Sequence, residues 1–253
     1  VQGVLNSLIL GDKVNKTPAP EEYTEEYFLT NCGGYKEYLE GELSQRHRKA
    51  LEYLQVRPGE AILDIGCGRG ELLRACNERG GNSVGIDYSS AAIRISRHGQ
   101  DNIALIQASA TALPFREETF DKVIMLDIVE HLSLDDLFIA LRDVKRVLKN
   151  QGQVLIHTPN QWGDFLSAFY YKTLSIFRIP FRKQTVNLEP CSYDTLHVSV
   201  LNPISLKRIL SSLGFRSEVW FAGHPLQQVP LVWYLVDRLL PFLTTIWCKA
   251  YKV

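Results

Sequence analysis

The sequence predicts an α/β fold built on a mainly parallel sheet, and two observations carry that prediction. Short apolar runs of strand length alternate with helix-like segments from Ala61 to His157. The first of these runs breaks at a glycine-rich loop, Gly66-Cys67-Gly68-Arg69-Gly70, that leads straight into the next helix. Parallel neighbours need crossover connections, so this alternation implies helices lying across both faces of the sheet.

Each element has its own warrant. A polar, basic helix is expected from about Glu42 to Leu54, stopped by the turn signal Arg57-Pro58-Gly59. Ala61–Ile65 is the first strand, Leu72–Arg79 a helix closed by Gly80-Gly81, and Ser83–Ile86 a second strand ending at Asp87. The Ser89 hydroxyl can cap a helix reaching about His98 by satisfying an orphan amide of its first turn. Ile103–Gln107 is the third strand, and Lys122–Leu126 the fourth, apolar enough to be covered on both faces. Ser133 reads as the cap of a helix running to Leu148, followed by a fifth strand at Gln153–His157. Asn202-Pro203 opens a helix that ends at Gly214, with Asn as cap and Pro in the first turn. Val219–Ala222 and Thr245–Tyr251 complete the strands, with a very apolar helix between them.

Residues 1–41 read as an N-terminal arm and 42–253 as one domain. Within that domain, residues 160–200 are rich in aromatics and lack strand alternation. They read as an insertion over the carboxyl edge of the sheet, where open α/β sheets bind ligands. The arm carries Tyr23, Tyr27 and Tyr35, with Gly33-Gly34 as a hinge, and is expected to act as a lid.

Composition narrows the function. Lys plus Arg and Asp plus Glu both number 28, so no global field favours nucleic acid. The five cysteines, Cys32, Cys67, Cys76, Cys191 and Cys248, form no CxxC pair, which argues against a disulfide framework or a thiolate zinc site and fits a reducing cytoplasm. The most apolar stretch, Val229 to Cys248, is interrupted by Asp237, Arg238 and Pro241, so a spanning helix is not expected.

The loop specifies the ligand more closely. Alternate glycines let backbone amides approach a ligand where a Cβ would clash. A dinucleotide-binding loop would place its third glycine at the helix opening to meet a pyrophosphate, but position 71 is Glu. An acid there suits a phosphate-free, cationic cofactor. Asp87, at the end of the second strand, can accept both hydroxyls of a ribose and would repel the 2′-phosphate of NADP. The competing reading is that Asp64 and Asp87 cap helices or pair with Arg69 and Arg94.

Ile62-Leu63-Asp64-Ile65-Gly66-Cys67-Gly68-Arg69-Gly70 resembles the first motif of class I S-adenosylmethionine-dependent methyltransferases, and Val84-Gly85-Ile86-Asp87-Tyr88-Ser89 resembles their ribose-binding motif. Ala112-Leu113-Pro114-Phe115, Phe120-Asp121-Lys122-Val123, Val129-Glu130-His131-Leu132, Val147-Leu148-Lys149 with Gly152, and His157-Thr158-Pro159-Asn160 are similar to later landmarks of that family. The resemblance implies a Rossmann-like fold with a mainly parallel seven-stranded sheet, and S-adenosyl-L-methionine as cofactor. It places Asp64, Gly66, Cys67, Gly68, Gly70, Asp87, Tyr88, Ser109, Ala110 and Leu126 along that cofactor. Where many relatives aim an acid at the adenine amine, this chain has Ser109 and Ala110, leaving a hydroxyl or the backbone for that contact. Cys67 reads as a small hydrophobe rather than a nucleophile.

Methyl transfer from a sulfonium needs alignment above all, and a base only where the acceptor must lose a proton. Glu130, His131 and His197 are the candidates for such work, each weighed against a structural role. A single Glu-His pair falls short of the three or four ligands of a dedicated metal site, so no metal is expected. The layout resembles ubiquinone-pathway O-methyltransferases, which implies a small-molecule acceptor such as a lipid, quinone, sugar or secondary metabolite. Residues 160–185 and 229–243 are then either a peripheral membrane contact in an otherwise cytoplasmic protein, or part of the core or a homodimer interface. A nucleic-acid or protein methyltransferase is the alternative, against which stands Leu126-Asp127-Ile128-Val129 in place of an Asn-Pro-Pro-Tyr-type motif. A NAD-binding oxidoreductase and a non-catalytic cofactor-binding protein are the remaining readings.

Overall fold

The computed structural model describes residues 16–98, 103–161, 196–221 and 245–253. Its strands are β1 (Ala61–Ile65), β2 (Asn82–Asp87), β3 (Ala104–Gln107), β4 (Phe120–Leu126), β5 (Leu148–Pro159), β6 (Phe215–Phe221) and β7 (Thr245–Lys252). The helices are α1 (Tyr35–Leu39), α2 (Gln45–Leu54), α3 (Glu71–Glu78), α4 (Ser90–Arg97), α5 (Leu134–Val147) and α6 (Pro203–Ser212). The strands form one seven-stranded sheet in the order β3-β2-β1-β4-β5-β7-β6. Pairing is parallel from β3 to β5, and β7 runs antiparallel to both of its neighbours. This is the Rossmann-like class I methyltransferase fold, with its order reversing about β1 and β4. The carboxyl ends of those two strands therefore border the crevice where such sheets bind ligands.

Alternate residues of the central strands supply two cores. Leu63, Val123, Met125, Val154 and Ile156 face α5 and α6, where they meet Leu137, Leu141, Val144, Leu206 and Leu210. Ile62, Ile124 and Leu155 face α2 and α3, against Ala50, Leu51, Leu54, Leu72 and the fully buried Trp247. Both faces being covered explains why these strands read as continuous apolar runs. Each fully buried aliphatic side chain contributes about 1.5–3 kcal/mol relative to exposure.

The caps fall where the hydroxyl and amide chemistry places them. Ser44, Ser89, Ser133 and Asn202 each accept a backbone amide of the helix they precede. Two strand starts differ most: β6 begins at Phe215 rather than Val219, and β5 at Leu148 rather than Gln153. Leu148 pairs with Phe120, the register shifts before Lys122 pairs with Gln153, and Gln151 takes a φ of 63° to absorb the irregularity. The exposed polar residues Asn150 and Gln151 concealed this from a hydropathy reading.

Most of the aromatic insertion, residues 162–195, and the apolar helix expected within 222–244 lie outside the described residues. The candidate membrane-facing residues lie largely there as well. Among the described residues no helix is long and apolar enough to cross a membrane. Cys32, Cys67, Cys76 and Cys248 are free thiols.

Candidate active site

The loop between β1 and α3 is held open for a ligand by its glycines. Gly66, Gly68 and Gly70 have φ of 73°, 51° and 78°, the left-handed region that costs other residues about 1–2 kcal/mol each. The amides of Gly66 and Cys67 donate to the Ile86 carbonyl at 2.9 and 3.0 Å, which ties the loop to the end of β2. Asp87 then accepts the Gly68 amide at 3.0 Å through Oδ2 and the Ser89 amide at 2.9 Å through Oδ1. Each carboxylate oxygen retains acceptor capacity for a ribose hydroxyl.

Three acids surround this bend. Burial, reinforced by the charges of Asp87 and Glu71, pushes the Asp64 carboxyl up to about 7. Burial also raises the Asp87 carboxyl, against the opposing pull of the Ser89, Gly68 and Tyr88 amides. Glu71 is paired with Arg69 at 2.9 Å, both nearly inaccessible to solvent. Arg94 pairs with Glu25 instead, so neither arginine neutralises Asp64 or Asp87. A pyrophosphate would be repelled here, whereas a sulfonium and an ammonium group would relieve the clustered negative charge. The residues fit S-adenosylmethionine.

Cys67 turns its side chain into the core with Leu73, Ile93 and Leu105, where burial holds the thiol well above its ordinary range. A thiol so buried and protonated is a poor nucleophile. Ser109 lies just past β3, its hydroxyl accepting from the Thr111 amide at 3.2 Å and bonded to the Thr111 hydroxyl at 2.8 Å. Ala110 is buried, while Leu126 at the end of β4 is half-buried. Half-buried Tyr88 donates its phenol to the Pro18 carbonyl at 2.9 Å.

Residues 16–41 lie across this edge. The Arg69 guanidinium donates to the Phe28 carbonyl at 2.6 Å and the Gly33 carbonyl at 3.0 Å. The Phe28 ring stands beside Gly68, 3.7 Å from where a Cβ would be. Ser89 Oγ donates to the Tyr23 carbonyl at 2.7 Å, and the Tyr23 ring packs edge-on against both Tyr27 and His131. Thr17 is bonded to Asp136 at the start of α5 and accepts the Ser133 amide at 2.9 Å. The arm thus touches the glycine loop, the residues after β2 and the residues after β4. The Lys36 ammonium stands over the Tyr35 ring, 5.9 Å from its centroid.

After β4 a short 3₁₀ turn, Val129–His131, presents the remaining candidates. Glu130 is 1% exposed; burial, then the nearby Asp127 charge, push its carboxyl well above the usual range. Thr158 donates to its Oε2 at 2.9 Å. His131 Nδ1 lies 3.2 Å from the Tyr23 hydroxyl, and the His131 and His197 rings are 4.8 Å apart, edge to face. Val198 and Ser199 donate their amides to the Glu130 carbonyl at 2.8 and 3.0 Å, which docks the His197 segment on the turn. The structure therefore joins all three candidates. The count of two possible metal ligands, on which the expectation of no metal rested, is corrected to three, because His197 comes from a segment remote in sequence.

Sequence reasoning missed a second polar system. Asp127, in the left-handed region at φ 51°, accepts from both Arg46 and His157 Nδ1. Burial alone would raise its carboxyl, but the Arg46 and His157 charges outweigh that and hold it well below the usual range. Arg46 also donates to the Gly33 carbonyl at 3.2 Å, so two guanidiniums share that one carbonyl at the arm's hinge. Asp127, just past β4, and His157, near the end of β5, are recognisable as polar residues at strand ends, but Arg46 carries no local signal.

Residues 63–156 match the family of methyltransferase domains. An uncharacterized protein of Methanocaldococcus jannaschii is 31% identical over 54% of this chain and 51% of its own. The demethylmenaquinone methyltransferase of Tropheryma whipplei is 27% identical over 68% of this chain and 73% of its own. This chain thus spans about half of the first relative and nearly three quarters of the second. Among solved structures, the methyltransferase in complex with the Haloferax volcanii Trm112 methyltransferase activator superposes with a TM-score of 0.66 at 16% identity, covering 90% of this chain and 96% of that one. Residues 63–156, which contain the glycine bend, thus match a methyltransferase domain, and the chain shares the fold of class I methyltransferases.

Proposed function

We propose that this methyltransferase transfers the methyl group to an oxygen of a small molecule, bound between the arm and the turn at Val129–His131. The observation that carries the reading is the convergence of Glu130, His131 and His197, with Tyr23 bridging His131 to Ser89, two residues past Asp87. The sulfonium supplies an activated methyl group. The chain's own residues supply alignment, which can contribute about 7–11 kcal/mol in well-oriented systems. Asp87 and the glycine amides fix the nucleoside, and Asp64 with Glu71 sets a negative field for its cationic end. The arm covers the acceptor and excludes water. Glu130, His131 and His197 receive the acceptor's hydroxyl and ease loss of its proton, worth about 10²–10⁴-fold when a group is well placed.

The balanced charge, 28 of each sign, favours a small acceptor over a polyanion. The relative named for demethylmenaquinone acts on a small molecule by its name. The test is transfer of isotopically labelled methyl from the cofactor across a panel of phenols, sugars, lipids and RNA. Label on a small-molecule oxygen is the expected result. Label confined to RNA, or carried by nitrogen, contradicts the proposal.

A further inference from the structure

We propose that Asp127 is a positioning residue that ties the acceptor turn to the arm, so that cofactor uptake also sets the turn carrying Glu130 and His131. Asp127 stands one residue past β4 and two before the Val129–His131 turn. Its φ of 51° lies in the left-handed region, which a side chain keeps only where its surroundings impose it. Aspartate tolerates that region better than most residues. Three bonds impose it here. The Asp127 amide donates to the His157 carbonyl at 3.0 Å, Oδ1 accepts from His157 Nδ1, and Oδ2 accepts from Arg46.

The carboxylate joins a partner in the sheet to a partner that grips the arm. His157 is 4% exposed, and its ring packs on fully buried Trp247 with centroids 4.5 Å apart. Arg46 Nη2 donates to the Gly33 carbonyl at 3.2 Å, and a Cβ at Gly33 would stand only 3.1 Å from Arg46 Nη1. The same carbonyl accepts Arg69 from the cofactor loop at 3.0 Å. A continuous polar path therefore runs from the glycine bend through Arg69, the Gly33 carbonyl and Arg46 to Asp127. Ile128 closes it into a ring: its Cδ1 would lie 3.0 Å from a Cβ at Gly66, and its carbonyl accepts the His131 amide at 3.0 Å. A change at Asp127 thus moves the turn against the bend.

This rests on the reading above that the acceptor lies between the arm and the turn. Cofactor on the bend steadies the loop that carries Arg69, Arg69 steadies Gly33, and Arg46, held there, keeps Asp127 in its left-handed conformation. The turn is then ordered before the acceptor arrives, which leaves less ordering for the acceptor to impose. A buried ion pair serving stability alone would lower the Tm when broken, yet leave the turn's response to cofactor intact. A path of contacts carries coupling only if both of its ends respond together.

The test is hydrogen–deuterium exchange on the full chain, with and without S-adenosylhomocysteine at a concentration saturating for each variant. In the wild type the ligand should slow exchange over residues 20–38 and 128–133 together, the latter by about 5–150-fold, the ordinary range of coupling between sites. Asp127→Asn keeps a residue suited to the left-handed region and an oxygen for His157, but offers Arg46 no second acceptor. In that variant the ligand should still slow residues 20–38, while its effect on 128–133 disappears. Arg46→Gln breaks the same link from the other side and should reproduce this result. A wild-type turn that does not respond, or a response that survives both substitutions, overturns the proposal. Methyl label on RNA, with the coupled response present, would instead overturn the acceptor reading and leave the coupling standing.

Discussion

Asp64 is the residue whose chemistry is most exposed to measurement. Its carboxyl sits at about 7 because burial and the nearby charges of Asp87 and Glu71 oppose ionisation. A folded-state value above the unfolded one means that its stabilising contribution is complete below the unfolded carboxylate range. That contribution is lost as pH rises through about 7. Thermal melts of the apoprotein from pH 5 to 8 should show a loss of stability that Asp64→Asn removes. A cationic cofactor favours the carboxylate, so affinity for S-adenosylmethionine should rise with pH up to about 7 and then level off, with proton release on binding. Identical pH slopes for wild type and Asp64→Asn would contradict both expectations. Gly70 offers a second test. A Cβ there would meet the φ penalty at 78° and the hydroxyl of fully buried Ser96, whereas one at Gly41 would meet nothing within 4 Å. Gly70→Ala should therefore cost more than the roughly 1–2 kcal/mol of left-handed strain expected for Gly41→Ala in denaturant melts. These residues were legible in the sequence because loop glycines and strand-end acids act where they stand. Arg69 was not, since its carbonyl partners in the arm are chosen by the fold.

At the scale of elements, Arg69 fastens the arm to the cofactor loop. Replacing it with Ala strands Glu71 as a buried, unpaired carboxylate, a change that typically costs about 3–5 kcal/mol. It also frees the Phe28 carbonyl and leaves the Gly33 carbonyl to Arg46 alone. Arg69→Ala should speed amide exchange across residues 20–38 and raise the Kd for S-adenosylhomocysteine. Unchanged exchange there would show that the arm is held by other contacts. The caps and the five crossover strands were readable because period and capping chemistry are local. The extended start of β5 was not, because its first residues are polar and stabilised only by pairing with β4. Nor was the meeting of His197 with Glu130 and His131, which depends on two backbone bonds between remote segments.

Across the whole molecule, the sheet order sets the crevice, the crevice receives the glycine bend and three acids, and the arm lies over them. The class of cofactor follows from charge as much as from shape, since the same bend without the acids would serve a pyrophosphate equally well. A saturating ligand adds stability by mass action, about 2.7 kcal/mol at a hundredfold excess over Kd, so S-adenosylhomocysteine should raise the Tm and NAD should not. The measurement that bears most directly on this account is calorimetric titration of wild type and Asp87→Ala with S-adenosylhomocysteine and with NAD. Two charge-assisted bonds to the ribose, at about 1.5–3 kcal/mol each, predict saturable binding of the first ligand and at least a tenfold loss in the variant. NAD binding as tight as that of S-adenosylhomocysteine, or a variant equal to wild type, would contradict it.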